Sequence, residues 1–281
     1  MQLLIIDGNS QKLDGGAMFG NAPKALWQRW IEPDELNRID LACRCLLMIQ
    51  DDGTKVLFET GVGDFFEPSL KARYGVTESG HKLLDNLAKH NISHQDIDYV
   101  VLSHLHFDHA GGLLSSFDEQ QPLSLLFPNA KYVVGQSHWQ HANAPHFRDR
   151  ASFLPQLNQM LEESGRLLIV EEEKPELDEI SGVKFLFSHG HTPGLMLSEI
   201  NTPAGPLVFS SDLIPGQFWV HLPICMGYDR FPETLIDEKQ VLLTRLFKEN
   251  GRLFFTHDAQ MPCGIVKQND KGKFSVDAVQ L

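Results

Sequence analysis

Four short β-favouring runs in this chain each stop at residues able to bind a metal. DYVVLS (98–103) is followed by His104-Leu105-His106-Phe107-Asp108-His109, and VKFLFS (183–188) by His189-Gly190-His191. PLVFSS (206–211) is followed by Asp212, and RLFFT (252–256) by His257-Asp258. Apolar runs of this length bounded by polar turns read as buried strands. Strand ends at one edge of a sheet are where loops converge to build sites. A fold that brought these four strand ends to one edge would gather all of these groups into one site.

The candidate ligands are His104, His106, Asp108 and His109 from the first cluster, with His191, Asp212 and His257 downstream. Five imidazoles and two carboxylates suit zinc, iron, manganese or a similar ion in a mixed nitrogen and oxygen site. They exceed what one tetrahedral zinc needs, which favours two metals. Singly, His191 or His257 reads as a hydrogen-bonded loop histidine, and Asp212 as a turn residue or helix cap. The dense His-x-His-x-Asp-His run at a strand end is a specific metal signature, and the combined set favours the metal reading.

The remainder of the chain reads as mixed α/β. LACRCLLMIQ (41–50) and KVLFET (55–60) flank Asp51-Asp52-Gly53 as a hairpin, and MQLLIIDGNS reads as a first strand. SGHKLLDNLAKHN (79–91) has the periodicity of an amphipathic helix leading into DYVVLS. KYVVG (131–135) and RLLIVE (166–171) are further strands, separated by a polar, helix-prone stretch from Gln136 to Gly165. A helix is expected from Pro232 to Asn250, with Pro232 in its first turn and Gly251 at its end. Hairpins early and strand–helix alternation later point to layered sheets, and no Pro/Gly/Ser linker divides residues 1–281, so one domain is expected.

Composition bounds the function. The net charge of -13 over 281 residues argues against a general nucleic-acid or anionic-membrane binder, which needs a basic face. No apolar run approaches the ~18 residues of a membrane span, and the N-terminus lacks the basic start of a signal peptide. Cys43, Cys45, Cys225 and Cys263 form no CxxC pair and read as buried free thiols in a reducing compartment. A cytoplasmic location is the expectation.

HLHFDH (104–109), with GHTPG (190–194), SD (211–212) and THD (256–258) in order and approximate spacing, closely resembles the metallo-β-lactamase superfamily. The resemblance runs from KVLFETG through THD. It implies a four-layer αβ/βα sandwich: two mixed β-sheets flanked by helices, with a metal centre at one edge. On the family's motif His104, His106 and His191 would hold one metal and Asp108, His109 and His257 the second, with Asp212 bridging. The cofactors implied are two divalent ions, zinc first, with iron, manganese or cobalt as alternatives.

Within the superfamily the chain looks most like the lactonase and organophosphate-hydrolase-like branch, through DGGAMFG…PKALW (14–27) and WVHLPICMGYDRFPETLIDEK (219–239). It departs in two places. The usual Asp-Thr-Gly is here Glu59-Thr60-Gly61, one methylene longer, and Pro215 stands where acyl-homoserine lactonases often carry a tyrosine.

The expected activity is a dinuclear metal-dependent hydrolase using a metal-bridging hydroxide on a small ester, lactone or organophosphate. Asp108 is the expected catalytic residue, orienting the hydroxide or passing a proton to the leaving group. Glu59, Asp258 and Ser103 are candidates to hold the ligating imidazoles by their free N–H. Phe107 and Phe19, with Met18 and Trp27, are candidate apolar contacts to substrate, and His221 and Tyr228 candidate hydrogen-bond donors. Core packing is an equal reading for the aromatics. His90, His94, His138, His141 and His146 read as surface or structural histidines.

A glyoxalase II-like thioesterase or a mononuclear iron dioxygenase of the same fold is the alternative. A full second set of ligands counts against the dioxygenase, and a metal-stabilised binding protein would be expected to lack some of the set. The expected partner is a small-molecule substrate, with a homodimer left open and no nucleic acid or membrane.

Overall fold

The computed structural model describes residues 1–281. Its strands in chain order are β1 (Gln2–Asp7), β2 (Gln11–Asp14), β3 (Arg38–Leu41), β4 (Arg44–Ile49), β5 (Lys55–Phe58), β6 (Tyr99–Val101), β7 (Lys131–Gly135) and β8 (Leu167–Val170). They continue with β9 (Val183–Ser188), β10 (Leu195–Thr202), β11 (Gly205–Phe209), β12 (Arg252–Phe254), β13 (Cys263–Gln268) and β14 (Phe274–Ala278). One six-stranded sheet runs β1-β4-β5-β6-β7-β8 and the other β14-β13-β12-β11-β10-β9, while β2 and β3 form a separate ribbon.

Both large sheets are mixed. In the first, β1, β4 and β5 pair antiparallel, whereas β5 through β8 are parallel. In the second, the β11–β12 pair is parallel and the flanking pairs are antiparallel. The parallel pair requires a crossover, supplied by the helix Pro232–Lys248.

Alternation along the strands explains the layers. In β4, Leu46 and Met48 face the second sheet, where they meet Phe185, Met196, Ile200, Leu207, Phe209 and Phe254. Cys45 and Leu47 face the other way, toward Leu83 and Leu87 of one helix and Leu157 and Leu161 of another. Leu235, Leu242, Leu243 and Leu246 of helix Pro232–Lys248 cover the outer face of the second sheet. A strand buried on both faces reads as a continuous apolar run, which is the pattern of RCLLMI. The result is the expected four-layer arrangement of helices, sheet, sheet and helices.

The structure adjusts several boundaries. The run 41–50 breaks at Ala42-Cys43, where the chain passes from β3 to β4. The stretch 136–165 is two helices, Gln136–Asn143 and Pro155–Glu163. The left-handed residue after the long helix is Asn250 (φ 53°), with Gly251 N–H donating to the Leu246 carbonyl at 2.7 Å. The four cysteines are buried and free. No helix is long and apolar enough to cross a membrane.

Candidate metal centre

The ends of β6, β9, β11 and β12 converge at one edge of the sandwich. The chain leaves β6 as a tight loop carrying His104 and His106, then a single helical turn, Phe107–Ala110, carrying Asp108 and His109. That turn sits against the loop after β5 because residue 112 has no side chain: a Cβ there would lie 2.0 Å from the Thr60 carbonyl oxygen. Gly190 plays the same part for His191, since a Cβ would lie 2.4 Å from Leu235 of the long helix. Both glycines serve close approach.

Asp212 is the meeting point. Its Oδ2 lies 3.2 Å from His191 Nε2, 3.4 Å from His109 Nε2 and 3.9 Å from His104 Nε2, and its Oδ1 lies 3.3 Å from His257 Nε2. Around it the donors fall into two groups. His104, His106, His191 and Asp212 lie together, and Asp108, His109 and His257 form the second cluster. Within the groups, His191 Nε2 faces His106 Nδ1 at 3.4 Å, and His257 Nε2 comes within 3.5 Å of Asp108 Oδ2. Across the second group His109 Nε2 and His257 Nε2 face each other at 3.1 Å.

Most of these rings are held from behind. His109 Nδ1 donates to Glu59 at 2.8 Å, His191 Nδ1 to Asp229 at 2.8 Å, and His257 Nδ1 to the Ala42 carbonyl at 2.7 Å. His104 Nδ1 meets the Ser103 hydroxyl at 2.9 Å. Engaging Nδ1 fixes the tautomer and turns Nε2 toward the centre. Glu59 is shared further: its carboxylate also accepts from Ser103, from Ser211 at 2.9 Å and from Thr256 at 3.2 Å. Glu59 and Ser211 both adopt left-handed backbone, φ 63° and 42°. Strain of this kind persists only where surrounding contacts impose it.

Charge sets His104 and His106 apart from the other three imidazoles. Burial, reinforced by neighbouring imidazoles, holds His104 and His106 well below the usual histidine range. For His109 burial works in the same sense, but Glu59, Asp212 and Asp108 outweigh it and raise the imidazole well above that range. Asp212 does the same for His257 against its burial. His191 is also raised, by Asp212 and Asp229 against burial. Asp212 itself is held well below the carboxylate range because His109, His191 and His257 outweigh its burial.

The donor set fits divalent cations. His104 Nε2 and Asp212 Oδ1 are buried and have no hydrogen-bond partner. Such atoms are costly to leave unpaired, and imidazole nitrogens converging on one carboxylate are a cation's coordination shell in chemistry and spacing.

A cavity of about 230 Å³ opens onto this floor, reaching His106, Asp108, His191, Asp212 and His257. Its walls include Leu13, Met18, Tyr74, Phe107, Met226 and Tyr228, with Arg148 among them. Burial pushes the Tyr228 hydroxyl up to about 12, and nearby Asp108 adds to this.

Several expected contacts need correction. Phe19 does not line the cavity: it is fully buried between Trp27 and Trp219, with ring centroids 5.5 and 4.5 Å away. Stacked pairs of that kind contribute about 0.5–1.5 kcal/mol each, so packing claims this ring and Trp27 with it. His221 also lies off the cavity, its carbonyl accepting from Lys239 Nζ at 3.2 Å. Asp258 braces no ligating imidazole; it accepts from the Gln217, Gln260 and Met261 N–H groups. His138 is structural as expected: its Nε2 accepts from Leu105 N–H at 2.8 Å, and burial holds its pKa down to about 3.

Asp229 and Gln11 were missing from the sequence reading. Asp229 braces His191, and Gln11 Nε2 donates to Asp108 Oδ2 at 2.6 Å. Asp229 lies inside the 219–239 segment that carries the resemblance, and that was its only signal in the sequence.

Comparison with known proteins agrees with the geometry. The family described as the metallo-beta-lactamase superfamily matches residues 39–257. An N-acyl homoserine lactonase from Bacillus sp is 26% identical over 249 residues, covering 83% of this chain and 87% of that protein. The crystal structure of a probable metal-dependent hydrolase from Staphylococcus aureus superposes with a TM-score of 0.86 at 29% identity, covering 99% of this chain and 95% of that one. A dizinc quorum-quenching lactonase solved with a product superposes at TM-score 0.75 and 22% identity, covering 99% and 94%, a likeness of fold.

Proposed function

The chain belongs to the metallo-β-lactamase superfamily and is a metal-dependent hydrolase, and on that premise we propose that it uses two divalent ions to open a small lactone or related ester. The observation that carries this reading is the convergence of both donor groups on Asp212 at the floor of a largely apolar cavity. His104, His106 and His191 would hold one ion and Asp108, His109 and His257 the other, with Asp212 shared between them. When bound, two such ions polarise a substrate oxygen and lower the pKa of water from ~15.7 towards ~7.

The chain's own residues do the rest. Asp108 carries a carboxylate at the cavity floor, placed to accept a proton from the attacking water and return it to the leaving oxygen. Tyr228 keeps its proton at neutral pH, so its hydroxyl is a hydrogen-bond donor for a substrate carbonyl or the oxyanion that follows. Phe107, Met18 and Met226 present apolar surface that excludes water and suits an acyl portion. The lactonase names of the relatives support a lactone over a phosphotriester, although all these substrates can use the same metal ligands.

The test is metal analysis of purified protein with an activity screen across lactones, aryl esters, thioesters and phosphotriesters. Two ions per chain with lactones or esters turned over fastest is the expected result. A stoichiometry near one, with oxygen consumed, would replace the reading with a dioxygenase, and a strong preference for thioesters would move it to a thioesterase.

A further inference from the structure

Gln11 lies outside the residues that match the family, on the β2–β3 ribbon, and it is buried. Its Nε2 donates to Asp108 Oδ2 at 2.6 Å across 97 positions of sequence. The segment carrying it is pinned before it reaches the site. Asn9 Nδ2 donates to the Gly80 carbonyl at 2.9 Å, and Asn9 Oδ1 accepts from Lys82 N–H at 3.0 Å. The Ser10 N–H and hydroxyl both donate to Glu78, at 3.1 and 2.5 Å. Gln11 is therefore presented to Asp108 by a fixed piece of backbone.

Packing alone does not account for an amide here. Gln11 Oε1 is buried without a partner, a cost that an apolar side chain of the same length would avoid. What the amide adds is a single charge-assisted bond to a carboxylate. Asp108 sits on a helical turn of four residues, with Oδ2 3.5 Å from His257 Nε2 and Oδ1 3.8 Å from His109 Nε2. A carboxylate free to rotate about its last bond would exchange those two oxygens. A donor fixed on one of them stops the exchange.

We propose that Gln11 is a positioning residue for the second ion: by holding Asp108 Oδ2 it fixes the carboxylate plane and leaves Oδ1 as the oxygen available beside His109. This rests on the dinuclear reading above. It also assigns a task at the reacting centre to a segment that precedes the family match. Outer partners of this kind typically change metal affinity or activity by about 10–100-fold when removed.

Gln11→Met keeps the length and bulk of the side chain and removes the donor. Chelator competition followed by metal analysis is expected to show the first ion retained and the second bound about 10–100-fold more weakly. The expected kinetic signature is a lower kcat with KM nearly unchanged. Gln11→Asn, one methylene too short to reach Asp108, should behave the same way, and it serves as the reading if the Met variant does not fold. Gln11→Glu should fall below both, because it sets one carboxylate against another. Wild-type affinity for both ions and wild-type kcat in Gln11→Met or Gln11→Asn would overturn the inference. Wild-type protein holding only one ion would instead overturn the dinuclear reading, so the two failures are separable.

Discussion

The two donor groups share Asp212 and differ in nearly everything else. The group of His104, His106 and His191 draws on loops after β6 and β9, and two of its three imidazoles are held neutral by burial. The group of Asp108, His109 and His257 has both imidazoles held charged by carboxylates and is braced by Glu59, Gln11 and the Ala42 carbonyl. On the dinuclear reading proposed above, an ion entering the first group meets free lone pairs on His104 and His106 and a proton to displace only on His191. At the second it has to displace protons, because a metal ligand must be deprotonated. On that reading the first position needs fewer protons displaced than the second, which leans more on the residues behind it.

That division can be broken by substitution. The largest effect is expected from Asp212→Ala, which removes the carboxylate both groups share; activity should fall by more than the ~100-fold that loss of a supporting residue costs, with both ions affected. Retention of either ion at wild-type affinity in that variant would mean the groups do not share Asp212. Glu59→Gln removes the charge behind His109 and should weaken the second ion by about 10–100-fold while largely sparing the first. Asp229→Asn should do the reverse, weakening the ion at His191 by about 10-fold. Equal losses at both positions in each of these two variants, measured by chelator competition, would erase the distinction.

The smallest effect sharpens the His191 side. Lys239 is fully buried and donates to the carbonyls of His221, Leu222 and Ile224, the stretch leading into Asp229. Burial pushes its pKa down to about 7, which Asp229 only partly offsets. Between about 7 in the folded chain and about 10.4 in the unfolded one, the unfolded chain binds more protons. Stability from this group therefore rises with pH through that window. Thermal melts of Lys239→Met across the same range should show a shallower rise than wild type.

The sandwich and the seven donors were legible in the sequence because both depend on local patterns. RCLLMI and YVV announce two buried faces, and HLHFDH packs four donors into one strand end. The supports were legible only where they sit next to that pattern: Ser103 precedes His104, and Glu59 ends the neighbouring strand. Gln11 and Asp229 reach their partners across 97 and 38 positions, from segments with no periodicity to mark them. The substrate wall was the least legible part. Met18 and Phe19 are adjacent in one short helix, and only the turn of that helix sends one to the cavity and the other into an aromatic stack.

Glu59 joins the ends of β5, β6, β11 and β12 through Ser103, Ser211 and Thr256 as well as His109. Separated from its partner, either sheet would be left with part of that polar knot unpaired in apolar surroundings. The cost of opening one half is then felt by the other, which couples the sheets in folding. Backbone amides of Val101 and Phe254, in the central strands of opposite sheets, are therefore expected to exchange with solvent through the same global opening. Native-state hydrogen exchange that released one sheet well before the other would show the two halves to be independent.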